Sequence, residues 1–243
     1  MPKQTKPTPY TLEYQQERIS FIVVHRKRKT IGIVVTPEKV EVRAPLRFPV
    51  DQLMPILQEK AAWISRKRHE LQGRAAARPL PHHYRSGDIF KLLGRDYHLD
   101  IMTAPRARVC IVKGRLRVFT PDPADTERIK RQIDRWMGAQ AERIFMRRMR
   151  MQWGRVAHWG KPFPPLKIRS MRSRWGSCTT RGSITLNRRL LQAPLPLIDY
   201  VILHEYCHLR EMNHSRAYYG LLAAICPPYR QLRQQLNQFP FTD

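Results

Sequence analysis

The chain has 243 residues, with 45 Lys and Arg against 19 Asp and Glu, a formal net charge of +26. Its length is enough to bury a core, recurring blocks of Leu, Ile, Val and aromatics exclude an intrinsically disordered polymer, and no window approaches the ~18 uncharged apolar residues of a membrane-spanning helix. Cys110, Cys178, Cys207 and Cys226 are scattered and form no C-x-x-C pair, which argues against a disulfide framework and a Cys-rich structural zinc site.

The N-terminus M-P-K-Q-T-K-P-T-P-Y is basic and lacks the apolar run of a secretory signal, so a soluble, cytoplasmic protein is expected. Residues 19–25 (I-S-F-I-V-V-H) and 30–36 (T-I-G-I-V-V-T) are β-branched runs separated by Arg26-Lys27-Arg28-Lys29. With the alternating K-V-E-V-R-A at 39–44, they predict a three-stranded meander. Over 51–71 the period changes: Leu53, Ile56, Leu57, Lys60, Ala61, Ile64 and Leu71 recur every three or four residues, as on one face of a helix. Residues 72–85 have no period and read as a linker. Strands are predicted again at 88–93 and 97–102, then at 108–112 and 115–119 around Lys113-Gly114.

A long helix follows at 126–152, with Ile129, Ile133, Trp136, Gln140, Ile144 and Met151 near one stripe. Nine Arg and Lys stand against three Asp and Glu between Thr126 and Arg155, so its solvent face is a candidate nucleic-acid surface. The net charge favours polyanions in general, whether nucleic acid, acidic protein or nucleotide phosphates, without choosing among them. Short strands at 167–171 and 183–187 bracket R-S-R-W-G-S-C-T-T-R-G, and from Leu195 the chain is helical, with breaks near Asn213 and at Pro227-Pro228. No internal repeat is visible. The element order is that of an α+β protein.

The chemistry is concentrated in residues 199–222, which contain H-E-x-x-H as His204, Glu205 and His208. Residues four apart on a helix share a face, so two imidazoles can hold one Zn²⁺ while Glu205 reaches the water beside it. Chance alone produces this motif in about one or two chains per hundred of this composition. A third ligand is available. His214 follows His208 at the six-residue spacing of H-E-x-x-H-x-x-G-x-x-H. On a straight helix His214 would point ~240° away from His208, so the chain must turn between them. Glu211 occupies the usual glycine position, and Asn213 is the residue expected to end the helix. Glu211 itself is the rival ligand, but it lies ~10.5 Å along the axis from His204, too far to share one ion comfortably. Three histidines leave one coordination position for water, the mark of a catalytic site.

The segments R-S-R-W-G-S-C (172–178), G-S-I-T-L-N (182–187) and D-Y-V-I-L-H-E-Y-C-H-L-R-E-M-N-H-S (199–215) resemble the YgjP-like zinc metallopeptidases, relatives of the SprT-like group. R-K-T-I-G-I-V-V-T, V-E-V-R-A-P and G-D-I-F-K-L-L-G-R-D-Y resemble the same family, so the likeness covers nearly the whole chain. It implies a β-rich N-terminal domain with one helix over residues 1–120. A compact zincin-like helical catalytic domain with a small sheet would occupy 121–243. It also implies Zn²⁺ on His204, His208 and His214, with Glu205 as general acid/base.

Beside that resemblance, Arg174, Trp175, Gly176 and Ser177 have two readings. They form either a strand edge to which a peptide substrate adds, or a turn with a core aromatic. Arg174, Arg216, Tyr218 and Tyr219 are candidates for stabilising the developing oxyanion, and Tyr218 is also a candidate substrate contact. His25, His69, His82, His83, His98 and His158 have no ligand spacing. The expected function is a zinc-dependent hydrolase acting on protein or peptide. Two alternatives are a metal-dependent nucleoside triphosphate pyrophosphohydrolase and a nucleic-acid-associated protein, the latter compatible with proteolysis of DNA- or RNA-bound proteins. Against the triphosphate reading, no G-x-x-x-x-G-K-[ST] loop is present.

Overall fold

A computed structural model describes residues 9–76 and 82–242 of the chain. The described residues form five α-helices and three small sheets, the α+β class expected. Two units separate along the chain, residues 1–78 and 79–243. The expected boundary at 120/121 therefore falls inside the second unit. Residues 1–8, and 77–81 of the expected linker, lie outside the described residues, and the helix before that linker continues to Ala76.

In the first unit, β1 (Pro9–Tyr14), β2 (Glu17–Arg26), β3 (Gly32–Val35) and β4 (Val40–Pro45) form one sheet in the order β1-β2-β4-β3. This corrects the meander. The β3–β4 hairpin closes at Thr36, whose N–H donates to Lys39 O at 2.8 Å, and the stretch after β2 crosses over. As a result β4 lies parallel to β2, with Phe21 beside Val40 and Val23 beside Val42. Val40, Val42 and Ala44 are thereby central and buried. Three alternating strands look the same in sequence whichever order they take. Helix α1 (Leu53–Ala76) packs Leu53, Leu57, Ala61 and Ile64 into the same core. Lys60 of the predicted stripe is exposed.

The second unit repeats this plan. β5 (Ile89–Leu92), β6 (Arg95–Thr103), β7 (Arg108–Val112) and β8 (Arg115–Thr120) take the order β5-β6-β8-β7, with β8 parallel to β6. Leu99 and Ile101 meet Leu116 and Val118 where the first sheet pairs Phe21 and Val23 with Val40 and Val42. A helix again follows, α2 (Thr126–Trp153). The chain thus contains a structural repeat that its sequence does not display.

Phe90, Leu99, Leu116 and Val118 share a core with Ile129 and Ile133 of α2. The β5–β6 turn donates from Leu93 N–H to Leu191 O (2.9 Å) and from Gly94 N–H to Gln192 O (2.8 Å). That shared core and these bonds are why the second sheet belongs with the C-terminal half. The buried positions of α2 are Ile129, Ile133, Ala141, Phe145 and Met149, whereas Met151, expected inside, is exposed.

The rest of the unit holds the site. β9 (Leu166–Arg169), β10 (Gly176–Cys178) and β11 (Ile184–Asn187) form a sheet of order β10-β11-β9, which leaves β10 at the edge. A 3₁₀ turn at Arg188–Gln192 leads to α3 (Leu195–Cys207), α4 (Arg216–Ile225) and α5 (Tyr229–Gln238). The largest core gathers around α3 and includes Phe145, Met149, Ile184, Leu186, Ile198, Ile202, Tyr206 and Leu222.

Candidate metal centre

Helix α3 is apolar on nearly every side, as a helix surrounded by core must be. Leu197, Ile198, Tyr200, Val201, Ile202, Leu203, Tyr206 and Cys207 are all buried. Two polar contacts hold it on α2. Arg148 donates from Nε to Asp199 Oδ1 at 2.7 Å and pairs again through Nη2 and Oδ2. Tyr206 Oη donates to Met149 O at 2.7 Å. His204 and Glu205 of the H-E-x-x-H motif are therefore carried on a fixed rod, with His208 at its C-terminal cap.

The helix ends at Cys207, one residue before the second histidine and well before Asn213. Leu209 N–H donates to Tyr206 O, and Arg210 and Glu211 N–H both donate to Cys207 O, tightening the last turn. No residue from 208 to 215 has a positive φ, so the turn needs neither the glycine of the zincin pattern nor a left-handed asparagine. His208 Nδ1 lies 2.9 Å from Glu211 O. Glu211 thus serves the site through its carbonyl, which orients the His208 ring and leaves its Nε2 for a metal. Ser215 then caps α4, its Oγ accepting from Tyr218 N–H, and the chain returns over α3.

That return brings His214 to His204, with Nε2 to Nε2 at 3.2 Å. His204, His208 and His214 each offer a ligand atom, all within 4.8 Å of one another. Among the described residues, Glu211 belongs to no such group. Ligand bonds of 2.0–2.1 Å in a tetrahedral zinc site put neighbouring nitrogens about 3.4 Å apart, so the His204–His214 pair has the right span. Burial, then the neighbouring His208 and His214 and Arg233, push the His204 imidazole down to about 3. It is neutral at physiological pH and able to donate a lone pair. The residues present fit a divalent cation.

Glu205 is 3% exposed, and its Oε2 has no hydrogen-bond partner. Burial pushes its carboxyl up to about 8, with Arg174 opposing the shift. A bound cation would pull that value down again. Gly176 of β10 lies directly on this carboxyl: a Cβ there would stand 2.4 Å from Oε1 and 2.8 Å from Cδ. Cys178, two residues along the strand, is also raised, to about 11, by burial and then by the Glu205 charge.

A cleft of 480 Å³ opens beside the histidines. Arg174, Trp175, Gly176 and Ser177 line it. Trp175 packs tilted on Phe241, ring centroids 3.9 Å apart, and Asn187 Nδ2 donates to Arg174 O at 2.9 Å, so the segment is braced. Tyr218 is not part of the lining. It is fully buried, its Oη donates to His204 O, and its ring packs under all three imidazoles. Tyr219 and Arg216 line a separate depression, together with Arg230 and Arg233. The sequence reading missed Arg233, Leu236 and Asn237, which α5 contributes to the cleft wall. No motif marks them. Only the packing of α5 against α3 brings Arg233 to His204. Of the other histidines, His82 stacks on Phe90, while His25 and His69 bond backbone carbonyls.

An α+β chain with a histidine trio gathered at the end of a core helix and a buried glutamate at an open cleft has the site of a metallohydrolase. The YgjP-like metallopeptidase domain matches residues 29–239, and the chain belongs to that family. Among solved structures, the metallopeptidase zymogen abylysin of Pyrococcus abyssi resembles 39% of this chain and 92% of its own, at 15% identity and a TM-score of 0.36. Comparison with curated proteins gave no match. No helix among the described residues is long and apolar enough to cross a membrane.

Proposed function

We propose that the chain is a zinc-dependent peptidase in which Glu205 is the general acid/base. The convergence of His204, His208 and His214 beside the cleft carries this reading. Zinc on those nitrogens would polarise the scissile carbonyl and lower the pKa of water toward ~7. Glu205 takes the proton of the attacking water and delivers it to the leaving amine. β10 offers a free edge along which an extended polypeptide adds as a further strand. Arg174 and Arg233 are the cationic groups of the cleft wall that a substrate meets, while the metal would carry the developing oxyanion.

The test is elemental analysis with cleavage assays on unfolded protein and on nucleoside triphosphates. Glu205→Gln should retain one zinc and lose turnover, while His214→Ala should lose the metal. An active Glu205→Gln variant would refute the role, and turnover of triphosphates alone would favour the pyrophosphohydrolase.

A second reading, nucleic-acid association, is favoured by α2. Arg128, Arg131, Arg135, Arg143, Arg147 and Arg150 are all exposed. At 100° per residue they fall within about 160° of one another, over roughly 33 Å of helix. Binding to duplex DNA should weaken with salt at a log–log slope of about −0.9 per phosphate contacted, and a flat response would remove the idea.

A further inference from the structure

The cleft has a charge pattern that hydrolysis alone does not require. Besides the three histidines, its charged lining consists of Glu205, Arg174 and Arg233. Glu205 is buried beneath Gly176, so the surface a substrate meets is cationic. Both arginines are exposed, and among the described residues neither guanidinium has an acidic partner, whereas Arg148 and Arg188 are paired with Asp199 and Asp134. They also reach the cleft from different elements. Arg174 comes from the segment entering β10, and its charge bears on Glu205. Arg233 comes from α5, and its charge bears on His204 and His214. The cleft wall thus carries two cations without an acidic partner, one near the buried glutamate and one near the histidines.

A guanidinium is a planar fork of donors that matches a carboxylate in two-point contact. Around the two forks, Trp175, Val201, Met212 and Leu236 supply apolar wall, and β10 supplies alternating backbone N–H and C=O groups. A polypeptide satisfies such an edge along its length, which a triphosphate cannot. We propose that this cleft selects peptides carrying a carboxylate next to the scissile bond, received by Arg174 and Arg233. The inference rests on the peptidase reading above and adds the substrate class.

Generic attraction to a chain of charge +26 must be separated from recognition in the cleft. The experiment uses full-length, zinc-loaded Glu205→Gln protein and fluorescence anisotropy of short labelled peptides. Glutamate peptides should bind roughly tenfold tighter than their glutamine twins, the scale of one charge-assisted contact in a partly exposed site. Adding Arg233→Glu should erase that preference. Adding Arg106→Glu, the same charge change on the exposed loop between β6 and β7, should leave it intact.

Peptides with amidated C-termini separate the two sources of carboxylate. Persistence of the preference identifies an internal side chain, and a preference confined to free termini identifies the terminal carboxylate. Equal binding of glutamate and glutamine peptides overturns the proposal. So does a preference that survives both Arg174→Gln and Arg233→Glu, or tighter binding of a nucleoside triphosphate than of any glutamate peptide. The peptidase reading is judged separately, by whether the wild-type chain cleaves any peptide of the set, neutral ones included.

Discussion

Gly176→Ala tests the active-site geometry with a single methyl group. The added Cβ would stand 2.4 Å from Glu205 Oε1 and 2.8 Å from both Cδ and Cγ. A carbon and an oxygen in van der Waals contact are separated by roughly 3.3 Å, so something must move by about 0.9 Å. The glutamate is 3% exposed on a helix fixed by Arg148 and Met149, and β10 is fixed to β11. The carboxylate is the part able to yield. A displacement of about 1 Å in a reacting group costs on the order of 10²-fold in rate, or about 2.7 kcal/mol of transition-state stabilisation. Gly176 does not use left-handed backbone, so alanine adds no strain of its own. The three histidines are untouched. The expected result is kcat/KM down about a hundredfold, with zinc stoichiometry unchanged. Glu205→Asp shortens the side chain and leaves room for the methyl, so adding Gly176→Ala to that variant should cost little more. A fully active Gly176→Ala enzyme, or additive losses in the double variant, would refute the reasoning.

Two further predictions concern stability. Asp199→Ala strips the half-buried Arg148 of its partner and should cost about 2–3 kcal/mol in urea unfolding, much of it recovered by changing Arg148 to Met as well. No loss in the single variant would mean that the pair does not hold α3 on α2. Gln16, at φ 68° between β1 and β2, occupies a left-handed position that Gly94 fills in the corresponding turn of the second sheet. Gln16→Gly should therefore raise stability by about 0.5–1 kcal/mol, read from the denaturation midpoint; a loss would mean that the glutamine side chain contributes more than its backbone strain removes.

What was legible in the sequence was local. H-E-x-x-H is an i, i+4 relation, and the six-residue step to His214 already required a turn, so the histidine trio could be named before any fold was known. The alternation of Val40 and Val42, and of Leu116 and Val118, was equally plain. Strand order was not, because the in–out pattern of β4 is the same whether it pairs with β3 alone or with β2 as well. The turn after His208 was misjudged because a right-handed exit leaves no glycine or asparagine signature. Tyr218, named as a candidate substrate contact, lies one turn into α4 with its ring packed against the three imidazoles, and it does not line the cleft. Arg233 and the contact of Gly176 with Glu205 arise from packing between elements distant in sequence, where no spacing rule operates.

The repeat shows how such a site came to be supported. Both copies build four strands in the same order and lay a long helix on them, and in each the N-terminal half of the helix fills its own sheet. The C-terminal halves differ. Past Ile64, α1 buries no side chain through residue 73. α2 instead buries Ala141, Phe145 and Met149 in the core around α3, and adds Arg148 to Asp199 and the Met149 carbonyl to Tyr206. The second helix thus does two tasks with two halves, closing a sheet and holding the rod that carries His204 and Glu205 and has His208 at its cap. Polar substitutions at Phe145 or Met149 should then loosen the metal site, whereas equivalent changes past Ile64 in α1 should leave zinc content unaltered.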